Sequence, residues 1–549
     1  MKKSFLIAAL CALFFSCNNS SDAPIIPPQP QETKVKTSDW LFLCYFDADD
    51  GSINDDLYRN IRDIECAFAQ TRNEDGSPKD GYANVTALVL WDGISQEAKG
   101  EEQKFIHPDG ALYEIGADYS LEYVPQSGNE FDSGYVTLGD GFSVGPNTKN
   151  LTSKARGWLK KEPDMSDPAT LTNFLKWAKA HYDAPNVVLC LQDHGAGTYK
   201  ETYTDTTAVS KALCTDATNG GDRMLSCKNI TDALAASGWT GDKKPKILWN
   251  DLCLQATAEI VWNYKGCADY FCASPNVSWM PDYYGVFTNI KSGMTALDVG
   301  KVMVSAYMHR YYKDPMPCPS AGEDPRNTRA SGCSMYTASF ISLDPQKVNE
   351  LKDKVDGLAD SLLAIKNTNE SLFNLIYENH VKQDISSLEY CNGLAYNGTY
   401  ALLNDLGWLC ADICDDDDLS AAHASAAALQ NFLNNGDDEF IIYSWGGRRA
   451  TKDKENGAWK DDSITTYQTY LTGQTDFISK EPVEVEDNAD CYGLTIVGSV
   501  REFYYEGDKE YPFFRDDSNI ILHYDDWTGF SESWGKVINA WWDYYKTSN

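Results

Sequence analysis

Apolar residues in this chain fall into short unbroken runs that alternate with longer stretches of helical spacing. Trp40 to Phe46 (WLFLCYF) is a continuous apolar run closed by the turn-rich DADDGS, the pattern of a strand buried on both faces. Leu57, Ile61 and Ile64 follow near helical spacing, and Val85 to Trp91 (VTALVLW) reads as a second strand. In SDPATLTNFLKWAKAHY, Asp167 is a cap and Pro168 takes the first helical position, with Leu171, Phe174, Leu175 and Ala178 lining one face. That helix feeds Asn186 to Leu191 (NVVLCL), then a loop, a helix around Ile230 to Ala236, and the run Ile247 to Leu252 (ILWNDL). Another helix from about Thr257 and a strand over Ala268 to Ala273 come next. Such alternation predicts an α/β fold: a mostly parallel sheet with right-handed crossovers and helices on both faces.

Beyond residue 295 the pattern is less regular. Helical stretches (Val348 to Ile365, Ala421 to Leu433), strand-like Phe440 to Trp445 and Tyr492 to Val497, and a closing helix with Trp534, Ile538, Trp541 and Tyr545 suggest an α+β region. The expected organisation is an export signal at 1–16, a linker at 17–37, an α/β domain at 38–295, and a C-terminal α+β region at 296–549 that completes or flanks it.

With 549 residues, 42% apolar and 12% aromatic, the chain has the composition of an ordinary folded protein. Its 47 basic against 81 acidic residues give a net charge of -34, which repels a phosphate backbone and argues against nucleic acid as a partner. Lys2 and Lys3 precede an apolar run from Phe5 to Phe15, too short for a membrane span in the mature protein and typical of a signal segment. Ser16-Cys17 at its end resembles a relaxed bacterial lipobox, so lipidation of Cys17 is expected, followed by a Pro-rich tether (NNSSDAPIIPPQPQET). The corresponding location is the cell envelope, as an outer-membrane lipoprotein facing the periplasm or the surface. A plain secretory signal is the alternative.

Sixteen cysteines in an exported chain invite disulfides, yet Cys44, Cys190 and Cys253 lie in or at the end of apolar strands, where a cysteine is commonly a small buried hydrophobe. Cys410 and Cys414 lie i, i+4 beside an acidic run, Asp415 to Asp418, but no His or further Cys lies at zinc spacing, and a solvated acidic loop is expected there.

In open parallel sheets the ligand crevice lies outside the carboxyl ends of the strands. NVVLCLQ ends in Asp193-His194-Gly195, and ILWND ends in Leu252-Cys253. If these strands are neighbours, an imidazole and a thiol share one edge, as a thiolate nucleophile with a general acid requires. Gly195 would let its N–H approach an oxyanion, and a helix beginning soon after Cys253 would lower the thiol pKa. A loop histidine and a core cysteine are the plain alternatives. A competing nucleophile is Ser143 in Gly141-Phe142-Ser143-Val144-Gly145, a G-x-S-x-G match that needs a strand before it and a helix after it. Pro146 follows at once and no helical pattern begins.

The stretches APNVVLCLQDHGAG, LWNDLCLQATAEI and ADYFCASPNVSWMPDYYG resemble the clostripain family of cysteine peptidases, which belongs with caspases, legumains and gingipains. WLFLCYFDADD looks like that family's first strand, and GLTIVGS with the final Trp-rich helix like its C-terminal portion. The resemblance implies a caspase-like sheet, a catalytic His at His194, a nucleophile at Cys253, and a specificity pocket with Asp251 and Asp282. The oxyanion would be held by the N–H groups of Gly195 and Cys253. It also implies cleavage after Arg or Lys, hence substrates with basic residues, and self-cleavage between the His and Cys segments. Lys200, Lys211 and Arg223 lie there, and Lys211 is the expected site. Leu252 stands where the family usually has Ala, and Gln255 where Met is common, which leaves room for a catalytically silent surface binding protein. No cofactor is expected. Calcium enters only as a family property, since DADDGSINDD fails the EF-hand template with Tyr58 at its twelfth position.

Overall fold

A computed structural model describes residues 35–49, 53–93, 110–117, 136–139, 142–144, 154–158, 163–195, 213–216, 224–275, 278, 281–312, 338–382, 403–445, 451–452, 459–460, 492–498, 503–504, 510–511 and 529–548. Cys17 and Lys211 lie outside them. Nine strands form the main sheet: β1 (Trp40–Ala48), β2 (Val85–Gly93), β3 (Gly110–Glu114), β4 (Lys154–Trp158), β5 (Asn186–Gln192), β6 (Ile247–Asp251), β7 (Tyr270–Ala273), β8 (Ala338–Ser342) and β9 (Ile441–Trp445). Their spatial order is β9-β8-β7-β6-β5-β1-β2-β3-β4. The pairs from β7 through β2 are parallel, and the two strands added at each side are antiparallel.

The unbroken apolar runs are explained by burial on both faces. Leu41, Leu43 and Tyr45 face one core, where α2 (Pro168–His181), α3 (Cys227–Ala236), α4 (Ala258–Tyr264) and the C-terminal helices pack. Trp40, Phe42, Cys44 and Phe46 face the other, covered by α1 (Asn54–Thr71), α5 (Tyr283–Thr288) and α6 (Ala296–Tyr312). Asp167 caps α2 by accepting the Ala169 N–H at 2.9 Å, with Pro168 at the first position. A capping box closes the start of α3, where Ser226 and Asn229 bond reciprocally, a device not read from the sequence.

Of the two arrangements expected for the region after 295, completing the α/β domain or flanking it, β8 and β9 follow the first. Strands β8 and β9 belong to the same sheet, and α6 buries Val299, Met303 and Val304 in the second core. β8 lies between β7 and β9, and β9 is at the edge; strands this short carry little periodic signal, so the sequence hides which sheet they join. Tyr492 to Val497 is strand only over Thr495–Val497, paired with Leu403–Asp405 outside the main sheet. Ten cysteines are free among the described residues, including Cys44, Cys190 and Cys253. No described helix is long and apolar enough to cross a membrane.

Candidate functional site

β5 and β6 are hydrogen-bonded neighbours, with Gln192 in register with Asp251. The chain leaving β5 carries buried Asp193, exposed His194 and buried Gly195, and the chain leaving β6 carries Leu252 and Cys253. The structure therefore brings His194 and Cys253 to one edge of the parallel strands. Gly195 lies directly against the Cys253 backbone: a Cβ there would stand 2.4 Å from the Cys253 carbonyl oxygen and 2.8 Å from its nitrogen. Only glycine fits this approach.

β6 stops at Asp251, one residue before the expected end, so strand alternation does not carry on to Cys253. Residues 252–255 turn instead, with Leu254 at a φ of 61°, a left-handed conformation that costs a branched side chain energy. Leu252 and Leu254 insert into the first core, where Cys253 also packs, whereas Asp251 lies on the side of the second. The turn is braced from behind. Ala256 donates to the Ser274 carbonyl at 2.9 Å, and its own carbonyl accepts from the Thr495 N–H at 3.0 Å. The Val497 N–H donates to Glu259 Oε1 at 3.0 Å. The C-terminal segment thus supports the loop that bears the thiol, a role periodicity could not reveal.

The Cys253 sulfur accepts a 3.3 Å hydrogen bond from the Ser278 N–H and lies 3.6 Å from the Ser278 carbonyl oxygen. Burial pushes its thiol up to about 11; the Ser278 and Gly195 N–H groups act against this, while the charges of Asp251 and Asp193 add to it. The expected lowering by a helix N-terminus is not found. α4 begins at Ala258, five residues on and only seven residues long, and burial dominates.

Asp251 is 4% exposed and well held. Its Oδ1 accepts from the Tyr307 hydroxyl at 2.9 Å, and its Oδ2 from Gln192 Nε2 at 2.6 Å and the Tyr283 hydroxyl at 3.0 Å. Trp249 Nε1 donates to the Tyr307 oxygen at 3.2 Å, which commits the Tyr307 proton to the carboxylate. Burial raises the Asp251 pKa to about 6, and Tyr307, Tyr283 and Gln192 restrain the rise by stabilising the ionised form.

Asp282 caps α5, accepting the Gly285 N–H at 2.9 Å, and so fixes the helix whose first residue, Tyr283, grips Asp251. Ser143 lies in a short strand, Phe142–Val144, paired antiparallel with Val136–Gly139 outside the main sheet. That is not the strand-to-helix elbow its motif requires. Gln192, Tyr283, Tyr307 and Ser278 were not singled out in the sequence. Tyr283 follows Asp282 in the P-D-Y stretch, the one signal that pointed near it. Among the described residues no group of three metal-binding side chains is found, Cys410 and Cys414 included.

Comparison with known proteins gives a consistent picture. A family model described as the clostripain family of C11 peptidases matches residues 80–492. Clostripain from Hathewaya histolytica is 26% identical over 336 residues, which is 57% of this chain and 60% of that protein. The aligned region thus spans about 60% of the length of this curated relative. Among solved structures, a secreted C11 cysteine protease from Bacteroides thetaiotaomicron, bound to an irreversible peptide inhibitor, is 12% identical with a TM-score of 0.46, covering 89% of this chain and 98% of that one. An inactive zymogen C11 protease from Parabacteroides distasonis is 14% identical with a TM-score of 0.43, covering 84% and 93%.

Proposed function

The chain belongs to the clostripain family, and from that membership and the thiol at the sheet edge we propose that it is a cysteine endopeptidase cutting after Arg or Lys. The observation that carries the proposal is Cys253 itself. It sits in a strained turn outside the carboxyl end of β6, with the Gly195 and Ser278 N–H groups converging on its sulfur and a buried carboxylate two residues before it.

The chemistry proceeds through an acyl-enzyme. Burial holds the thiol at about 11, so Cys253 reacts from its protonated form and its proton passes to His194 as the sulfur attacks. Cys253 Sγ bonds to the carbonyl carbon, and the oxyanion is held by the Gly195 and Cys253 N–H groups. His194 delivers that proton to the departing amine as the C–N bond breaks, then takes one from water as its oxygen bonds to the carbonyl carbon, and returns it to the sulfur as the C–S bond breaks. The negative charge of Asp251 favours a basic side chain at the residue whose carbonyl is attacked, and Asp282 acts through Tyr283. Maturation by cleavage at Lys211 and anchoring through a lipid on Cys17 belong to the same proposal. Unimpaired processing of Cys253→Ala protein would overturn the first, and an unmodified mature N-terminus by mass spectrometry the second.

A fluorogenic Arg or Lys peptide tests the central step. Wild type and Ser143→Ala should hydrolyse it, and Cys253→Ala should lose at least roughly a thousandfold. Activity that survives in Cys253→Ala but not in Ser143→Ala would overturn the assignment, and an inert wild type would favour a surface binding protein.

A further inference from the structure

Gln192 holds an unused acceptor beside Asp251. Its amide orientation is fixed, because the nitrogen must be the atom that faces a carboxylate at 2.6 Å. The oxygen, Oε1, is therefore the free end, and it is buried without a hydrogen-bond partner in a residue only 1% exposed. An unsatisfied buried carbonyl is destabilising, and a ligand donor would relieve it. Alternation puts Gln192 on the face of Cys190 and Asp251 on the face of Trp249, so both side chains leave the same side of the sheet.

The three donors on Asp251 also limit how it can meet a ligand. A carboxylate offers roughly four acceptor sites. Gln192 and Tyr283 occupy both on Oδ2 and Tyr307 occupies one on Oδ1, while the nearby Ser278 hydroxyl favours the charge without closing a hydrogen bond to either oxygen. A guanidinium fork that needs one site on each oxygen finds Oδ2 closed, and no ion pair to Asp251 exists among the described residues to be displaced.

We propose that Gln192 is a specificity-determining residue: its Oε1 and the remaining site on Asp251 Oδ1 together accept two N–H groups of a substrate Arg side chain. This rests on the reading of the chain as a peptidase for basic residues. The planar guanidinium, with separate donors on separate nitrogens, spans two acceptors on different side chains, whereas a Lys ammonium presents its donors from one point. Arg is accordingly favoured over Lys by Gln192 and not by a fork on Asp251 alone.

The test measures kcat and KM for matched Arg and Lys peptides on wild type, Gln192→Met and Tyr283→Phe, with iodoacetamide alkylation of Cys253 reporting that each site is intact. Gln192→Met should raise KM for the Arg peptide by about tenfold, change kcat less than about threefold, and collapse the Arg:Lys ratio. Tyr283→Phe removes a donor from the same Oδ2 but leaves Oε1 in place, so the Arg:Lys ratio should hold. If both variants weaken Arg and Lys alike, Gln192 acts only by holding Asp251 and the proposal is overturned. Wild type supplies a check free of folding effects: an alkylguanidine should inhibit at least about tenfold more tightly than an alkylamine of matched length, and equal inhibition constants would overturn it. A basic preference that survives with either of those failures condemns this inference alone. A wild type that ignores basic side chains condemns the underlying reading with it.

Discussion

Asp47 and Asp251 both lie at the carboxyl ends of strands in one sheet, both almost wholly buried, and their surroundings treat them oppositely. Asp47 faces the first core, in line with Leu43 and Tyr45, with no side-chain donor on its oxygens and the Asp49 N–H favouring its charge too weakly to offset burial. Burial, then the nearby charges of Asp193 and Asp216, hold it well above the usual carboxylate range. Asp251 faces the second core with three donors on it, and burial lifts it only to about 6. Burial alone drives a carboxyl towards its neutral form; positioned donors preserve the charge. The sheet edge therefore concentrates usable negative charge at β6, beside the thiol, and not at β1.

The largest expected effect that could break this contrast is on turnover. Asp251→Asn should lower kcat/KM for Arg peptides by at least about tenfold, and Asp47→Asn by less than about threefold, because an amide resembles the neutral acid. Equal losses in steady-state assays would erase the distinction.

Stability gives a second, smaller difference. A carboxyl whose folded pKa is raised makes the native state bind more protons than the unfolded one, so stability falls as pH rises above the unfolded value near 4. For Asp251 the fall ends near pH 6 and amounts to about 3 kcal/mol. Asp251→Asn should recover up to that amount at pH 7, and urea unfolding from pH 4 to 8 would show its share of the slope gone between about pH 4 and pH 6. Asp47→Asn should likewise recover stability as pH rises above the unfolded value near 4. A variant of either residue that is no more stable than wild type at pH 7 would contradict the burial assigned to that carboxyl.

Smaller again is the effect of a single donor. Tyr307→Phe removes the bond to Oδ1 at a cost of about 1 kcal/mol to the ionised form, which should shift the Asp251 midpoint upward by less than roughly one pH unit. The shift would be read from the pH dependence of the Arg preference, and no movement would show that Tyr307 does not govern the charge.

Much of the fold was legible because burial on both faces writes itself as uninterrupted apolar runs. WLFLCYF, VTALVLW and NVVLCL each became a central strand. Whether the region after 295 completes the sheet or flanks it stayed open in the sequence, since β8 and β9 are short strands from far along the chain and their pairing leaves no local pattern. At the site, the strand ends that carry His194 and Cys253 could be read, but the turn that aims Cys253 could not. Its left-handed residue is Leu254, where a glycine would have announced it. Gln192, Tyr283 and Tyr307 stayed hidden for a related reason: ordinary polar and aromatic residues acquire their role only when three separate elements meet at Asp251.

The most direct test is the ratio of kcat/KM for an Arg peptide to that for a Leu peptide, measured in wild type from pH 4.5 to 8.5. Both substrates share Cys253 and His194, so their titration cancels and the charge of Asp251 remains. The ratio should climb through a midpoint near 6 and then level off well above one. A ratio that is flat across this range, or close to one throughout, would contradict the claim that Asp251 selects the substrate.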